Sequence, residues 1–242
     1  MAIESNHKVL VFIHYFGGSA KSWEWVINRL DKKYHCIAIN LPGFGNTIPL
    51  EEPSIVNFAE FVQQELKNSE ISNYILIGHS MGAKIALQMT ANDIKGNIER
   101  LILIAPSPPG IEPISEEEKR RMLIHPDLTE AKKTVDNITK IPLSDVQYDL
   151  AVDNNIMVEN KTWEWWLESG MNESIIASVK QIKVPITIIN SKNDPVMTPK
   201  IIKERFLNIL PSANVISHHK LGHLIPMEDP EWLAEQIINI CD

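Results

Sequence analysis

Cysteine is nearly absent from this chain: of its 242 residues, two, Cys36 and Cys241, carry a thiol. Two thiols build no disulfide framework, and this spacing matches no thiolate metal site. A basic surplus is lacking as well. The chain has 23 Lys and Arg against 31 Asp and Glu, a formal net charge of -8. An acidic chain repels phosphate backbones and anionic headgroups, so nucleic acid and membrane drop out as expected partners. No apolar run approaches the roughly 20 residues that span a bilayer, and the opening MAIESNHK has no basic segment leading into an apolar one. The expected setting is therefore cytoplasmic and reducing. Repeats and low-complexity tracts are missing too. What remains is ordinary globular material, 44% apolar and 22% charged, enough for a core and suited to one domain with an insertion.

Short runs rich in Val and Ile recur at residues 9–14, 35–40, 74–78, 101–105, 186–190 and 214–217. They are nearly continuous rather than alternating, as expected for strands covered on both faces of a parallel sheet. Helical spacing fills the gaps at 22–30, 54–67, 81–90, 199–209 and 230–240, with Ser54, Thr198 and Asp229 as N-caps and Pro199 and Pro230 in first turns. Strand followed by helix, repeated, predicts βαβ units and a mostly parallel sheet with helices on both faces. Residues 106–180 break that rhythm. They open on Pro106-Ser107-Pro108-Pro109-Gly110, show no strong strand signal and carry mainly helical patterns. This stretch is expected to be a helical cap inserted in the second half of a core made of residues 1–105 and 181–242. The charge run 116–121 within it is expected to be a solvated helix face.

The pentapeptide Gly78-His79-Ser80-Met81-Gly82 fits G-x-S-x-G and stands between an apolar strand and a helical stretch. That setting predicts a sharp strand-to-helix turn that lifts the Ser80 hydroxyl above the sheet, with glycines where side chains would collide. A serine hydroxyl needs a base. Among eight histidines, His223 stands in a short loop between the last strand and the last helix; His218 and His219 at the strand end are the alternatives, and His79 is expected to pack locally. The imidazole needs a carboxylate to set its tautomer, and Asp194, directly after the strand at 186–190, is placed for it. A tetrahedral intermediate also needs two donors for its oxyanion. The backbone N–H groups of Met81 and of Phe16, in the loop His14-Tyr15-Phe16-Gly17-Gly18-Ser19, are the candidates.

These residues, together with Leu41-Pro42-Gly43-Phe44-Gly45, Asp194-Pro195, Gly222-His223 and Glu228-Asp229-Pro230, resemble the α/β-hydrolase superfamily over essentially the whole chain, in its capped branch of small esterases and lactonases. Three positions depart from that pattern: Tyr15 and Ala83 each replace a usual glycine, and Ser191 stands where glycine usually precedes the acid. The resemblance implies a serine esterase or lactonase working through an acyl-enzyme, with no metal and no cofactor, as a monomer or homodimer. Trp23, Trp163, Trp166 and Met171 are the expected substrate contacts, in a pocket suited to a small hydrophobic ester or lactone. A carbon–carbon hydrolase or perhydrolase of the same fold, and a receptor-like binding module with slow turnover, are the alternatives.

Overall fold

A computed structural model of the protein describes residues 7–242. The first six residues, part of the opening read for a leader and of the 1–105 segment, lie outside the described residues. Six strands form one sheet: β1 (Val9–Ile13), β2 (His35–Ile39), β3 (Tyr74–His79), β4 (Ile98–Ile104), β5 (Ile186–Ser191) and β6 (Asn214–His218). Every pair is parallel, in the order β2-β1-β3-β4-β5-β6. β4 starts three residues earlier than its apolar run suggests, because Glu99 and Arg100 interrupt the apolar pattern without breaking the ladder.

The continuous apolar runs are explained by two cores, one on each face. Along β1, Val11 and Ile13 join one core while Leu10 and Phe12 join the other. Leu76, Leu101, Leu103 and Ile188 follow the first pair, and Ile75, Ile77, Ile102 and Ile189 the second. Side chains alternate across a strand, so a strand covered on both sides must be apolar at every position. The first face is covered by α2 (Ile55–Asn68) and α3 (Met81–Ala91), the second by α1 (Glu24–Leu30) and a C-terminal helix over Pro230–Cys241.

The caps read from sequence are in place: Ser54 accepts from the Asn57 amide, Thr198 from that of Ile201 and Asp229 from that of Trp232. The first helical stretch differs from expectation. Ser22 N donates to Ser19 O (3.0 Å) and closes a 3-10 turn over Ala20–Trp23 before α1 begins.

Between β4 and β5 lie α4 (Glu116–Met122), α5 (Leu128–Ile138), α6 (Asp145–Ile156), α7 (Asn160–Trp165), a π turn at Trp166–Gly170 and α8 (Ile176–Val179). α4 buries none of its residues, in keeping with its charge run. After β5 come α9 (Pro199–Ile201), continued by a π turn at Ile202–Leu207 that keeps Ile202 and Phe206 in the core, and, after β6, α10 (Ile225–Glu228) and α11 (Pro230–Cys241). No helix among the described residues is long and apolar enough to cross a membrane.

Candidate active site

β3 runs into Ser80, and α3 starts one residue later. Ser80 holds φ 53° and ψ -117°, a backbone conformation that side-chain-bearing residues rarely adopt and that persists only where neighbours impose it. Here they do. Ser80 N donates to Ile104 O at 3.0 Å, and Ser80 O accepts from Ala83 N (2.9 Å) and Ser107 N (3.1 Å). A Cβ on Gly78 would stand 2.5 Å from the Gly82 carbonyl oxygen, and one on Gly82 would stand 2.4 Å from that of His14. Both glycines are therefore required by close backbone packing around the turn. The N-terminal end of α3, with its unpaired amides, points at the same place.

Above the turn, His223 Nε2 lies 2.9 Å from Ser80 Oγ, and His223 Nδ1 lies 2.9 Å from Asp194 Oδ2. All three side chains are buried. Burial works to raise the Asp194 pKa, but the facing imidazole and the amides of Val196 and Met197, which donate to Oδ1 at 2.8 and 2.9 Å, outweigh it and hold the carboxyl below its usual value. For His223 the opposing pair is burial, which lowers, and Asp194, which raises; the carboxylate prevails and the imidazole sits above its ordinary value.

The loop that carries His223 is pinned from three sides. His223 N donates to Ile138 O at 2.7 Å. Glu228, 8% exposed, accepts from the amides of Gly222 (2.8 Å), Leu224 (3.1 Å), Lys140 (2.9 Å) and Ile141 (2.9 Å). Ser191 Oγ donates to Leu221 O, which gives the serine at that position a structural use. His79 completes the support: its Nε2 lies 2.8 Å from the His223 carbonyl oxygen and donates to it, and its ring packs between Tyr15 and His223. Burial lowers its pKa to about 3, so it stays neutral. The alternatives His218 and His219 stay apart: His218 Nδ1 accepts from the amides of Lys220 and Leu221, and its ring meets Trp232.

The loop after β1 is shaped by His14. Leu41 N donates to its Nε2 (3.1 Å), so the proton sits on Nδ1, which donates to Tyr15 O at 2.8 Å. Burial lowers the His14 pKa to about 4, consistent with that neutral form. Gly18 N also donates to Tyr15 O (3.0 Å), and a Cβ on Gly18 would meet the Tyr15 ring at 2.6 Å, so Gly18 makes the room that Tyr15 uses. Neither the Phe16 amide nor the Met81 amide finds a protein acceptor among the described residues.

A cavity of about 330 Å³ opens onto Ser80 and His223. Its floor is Tyr15, Phe16, Pro195 and Val196; its roof comes from residues 112–171 and includes Ile114, Met122, Ile138, Trp166 and Met171. Of the four expected substrate contacts, Trp166 and Met171 line it, beside Phe16. Two others do not. Trp23 is 1% exposed and packs in the opposite core against Phe12, because the 3-10 turn before α1 faces that side of the sheet. Trp163 is buried behind the wall, where its Nε1 donates to Met122 O (2.7 Å) and its ring stacks on His125 and backs Phe16. Met81 is fully buried, so only its amide is positioned to act. Sequence reasoning missed Glu112, a roof residue 7% exposed in the cavity wall, whose carboxyl burial pushes up from its usual value. It lies in a loop and repeats no pattern. No group of three or more His, Cys, Asp or Glu among the described residues is arranged to hold a metal ion.

Known proteins share this architecture. The chain is 26% identical to the uncharacterized hydrolase YugF of Bacillus subtilis, across 95% of this chain and 88% of that one. An esterase from Exiguobacterium antarcticum superposes with a TM-score of 0.87 at 17% identity, covering 96% of this chain and 91% of that one. The enol-lactonase of Burkholderia xenovorans LB400 does so with a TM-score of 0.84 at 15% identity, covering 99% and 93%. Curated relatives at 31–34% identity are matched over only 26–39% of their own length. The family model described as the alpha/beta hydrolase fold matches residues 8–131, from the start of the sheet through the serine turn into the helices that follow β4. Taken with the all-parallel sheet and the strained serine between β3 and α3, that match means the chain belongs to the α/β-hydrolase fold family.

Proposed function

We propose that this protein is a serine hydrolase that cleaves a carboxylic ester or lactone through an acyl-enzyme. The observation that carries the reading is the continuous relay Ser80–His223–Asp194, with both links at 2.9 Å, set in a cavity beside two amides that have no acceptor among the described residues. Ser80 Oγ attacks the ester carbonyl carbon and gives its proton to His223 Nε2, while Asp194 holds the imidazole in the right tautomer and stabilises its cation. The carbonyl oxygen becomes an oxyanion facing the Phe16 and Met81 amides. Collapse expels the alcohol, which takes the proton from His223. Water, deprotonated by the same ring, then releases the acid and restores Ser80.

Residues 106–180 act as the cap, and their apolar side chains Ile114, Met122, Ile138, Trp166 and Met171 favour a small hydrophobic substrate. The proposal is tested by treating folded protein with a fluorophosphonate and locating the adduct, alongside hydrolysis of 4-nitrophenyl esters and simple lactones. A phosphonyl group on Ser80 and an ester burst are expected. Protein that neither labels nor turns over any ester would instead be the binding module of the alternative reading.

A further inference from the structure

The loop between β4 and α4 carries two buried polar groups that the relay does not use. Glu112 lines the same cavity as Ser80 and His223, and its Oε2 is sealed from solvent with no hydrogen-bond partner among the described residues. Ser107, whose amide is fixed on the Ser80 carbonyl, leaves its hydroxyl in the same condition. The two groups adjoin, and the Ser107 hydroxyl acts on the Glu112 carboxyl as a donor; the other carboxyl oxygen, Oε1, which is not sealed, has no hydrogen bond among the described residues. Buried oxygens without donors are costly and uncommon, and each calls for an explanation.

Lys84 of α3 sharpens the point. It is fully buried, and its ammonium donates to Gly110 O (3.1 Å), Gly170 O (3.1 Å) and Met171 O (3.3 Å). Three protons on three carbonyls exhaust its donors. Among the described residues it comes within ion-pair distance of no carboxylate, although its charge still acts on Glu112. Glu112 therefore has a neighbour that offsets its charge but gives it no proton. Its backbone is held by donation from its N to Met171 O at 2.9 Å, which fixes the Cα from which the side chain reaches the cavity. A ligand cation brought to this spot would add to the positive charge of Lys84. A neutral O–H group would supply the missing donor at no charge cost.

We infer that Glu112 is a specificity-determining residue whose carboxyl accepts a hydrogen bond from a substrate hydroxyl, so that hydroxyl-bearing esters are preferred over plain alkyl and over cationic ones. The inference rests on the ester-hydrolase reading above. It makes the cavity an apolar space with one polar corner beside the reacting serine, the arrangement by which buried groups reject analogues that leave them unpaired.

The test compares wild type, Glu112→Leu and Glu112→Gln on matched esters: propyl butyrate against glyceryl monobutyrate, ethyl butyrate against ethyl 3-hydroxybutyrate, and butyrylcholine as the cationic case. The readout is the ratio of kcat/KM for the hydroxylated ester to that for its plain partner, which a general loss of folded enzyme does not move. Wild type should favour one hydroxylated ester, and Glu112→Leu should lower that ratio roughly 10- to 100-fold, the range of a hydrogen bond to a charged acceptor. Glu112→Gln, which keeps an acceptor oxygen, should retain most of the ratio. Equal ratios in wild type and Glu112→Leu would make Glu112 a counter-charge for Lys84 and overturn the inference. So would a change confined to butyrylcholine. Calorimetric binding of the intact esters to Ser80→Ala protein separates the two claims: a hydroxyl preference that Glu112→Leu abolishes sustains the inference even if wild type hydrolyses nothing, and equal binding of both esters overturns it.

Discussion

The floor and the roof of the cavity are built to different standards. On the floor, each group of the proposed relay is held by short hydrogen bonds: Ser80 by Ile104 at the end of β4 and by Ser107, Asp194 by the amides of Val196 and Met197, and His223 by Ile138 of the roof and, through its loop, by Glu228. The roof is a set of short helices of which α4 buries nothing and α5 buries Ala131 and Val135. It is tied down at a few polar points, among them Glu228 to the amides of Lys140 and Ile141, Gln147 Nε2 to Met227 O and Lys84 to Gly170 O. Chemistry needs placement within fractions of an ångström, whereas substrate fit tolerates adjustment. Floor substitutions should therefore appear in kcat, and roof substitutions in KM and stability.

Ser80→Ala should give the largest effect of all. Removing the hydroxyl is expected to cost roughly 10⁶-fold in kcat, as when a triad nucleophile is deleted, while the melting temperature stays within a few degrees of wild type. Asp194→Asn comes next. It keeps the shape but offers the imidazole an amide, which favours the wrong tautomer, and a loss of roughly 10⁴-fold is expected. Both are read from single-turnover kinetics with an activated ester. A near-normal rate for Asp194→Asn would mean that the bond of 2.9 Å to His223 Nδ1 is structural only.

The floor was readable in the sequence because its signals are local. Continuous apolar runs reported strands covered on both faces, and glycines at 78 and 82 reported a turn whose Cβ positions are filled by backbone. The order of Ser80, Asp194 and His223 along the chain did the rest. The roof was readable only as helical and inserted. Its aromatic residues gave no hint of which way they face, since Trp163 and Trp166 differ by three positions yet one lies behind the wall and the other in it. Trp23 was misplaced for the same reason: a 3-10 turn set its direction, and nothing in residues 20–23 announces one. Glu112, and the bracing role of Glu228, escaped because their partners are decided by tertiary approach, as with Glu228 and Lys140, which lie 88 residues apart.

That difference between neighbouring tryptophans can be tested on stability. Trp163→Ala should cost about 3–5 kcal/mol in denaturant unfolding, as expected for a buried aromatic truncated in a packed core. The ring backs Phe16 at 4.4 Å and His125 at 4.0 Å, so its loss opens a void between roof and floor. A cost under about 1 kcal/mol, with KM strongly raised, would return Trp163 to the substrate side of the wall.

The smallest effect separates the buried histidines by sign. His14 and His79 are neutral in the fold, with pKa values lowered by burial to about 4 and about 3. An unfolded chain protonates both near 6.5, so their contribution to stability is complete above that pH and is lost as pH falls below it. By pH 5 each should have cost about 2 kcal/mol, taking 1.36 kcal/mol per pH unit. His223 runs the other way: its raised pKa adds stability below 6.5 that is lost as pH rises through the folded value, and it partly offsets the other two. In the proposed mechanism, however, it must be neutral to take the Ser80 proton. Turnover should therefore decline as pH falls through a value above 6.5, in protein that is still fully folded, and the melting temperature should begin to drop only at lower pH. Recording kcat/KM and melting temperature over the same buffers resolves the two limbs. If they coincide, the imidazole at 223 is not held above its ordinary value, and the acid limb of activity is unfolding of the floor rather than protonation of its base.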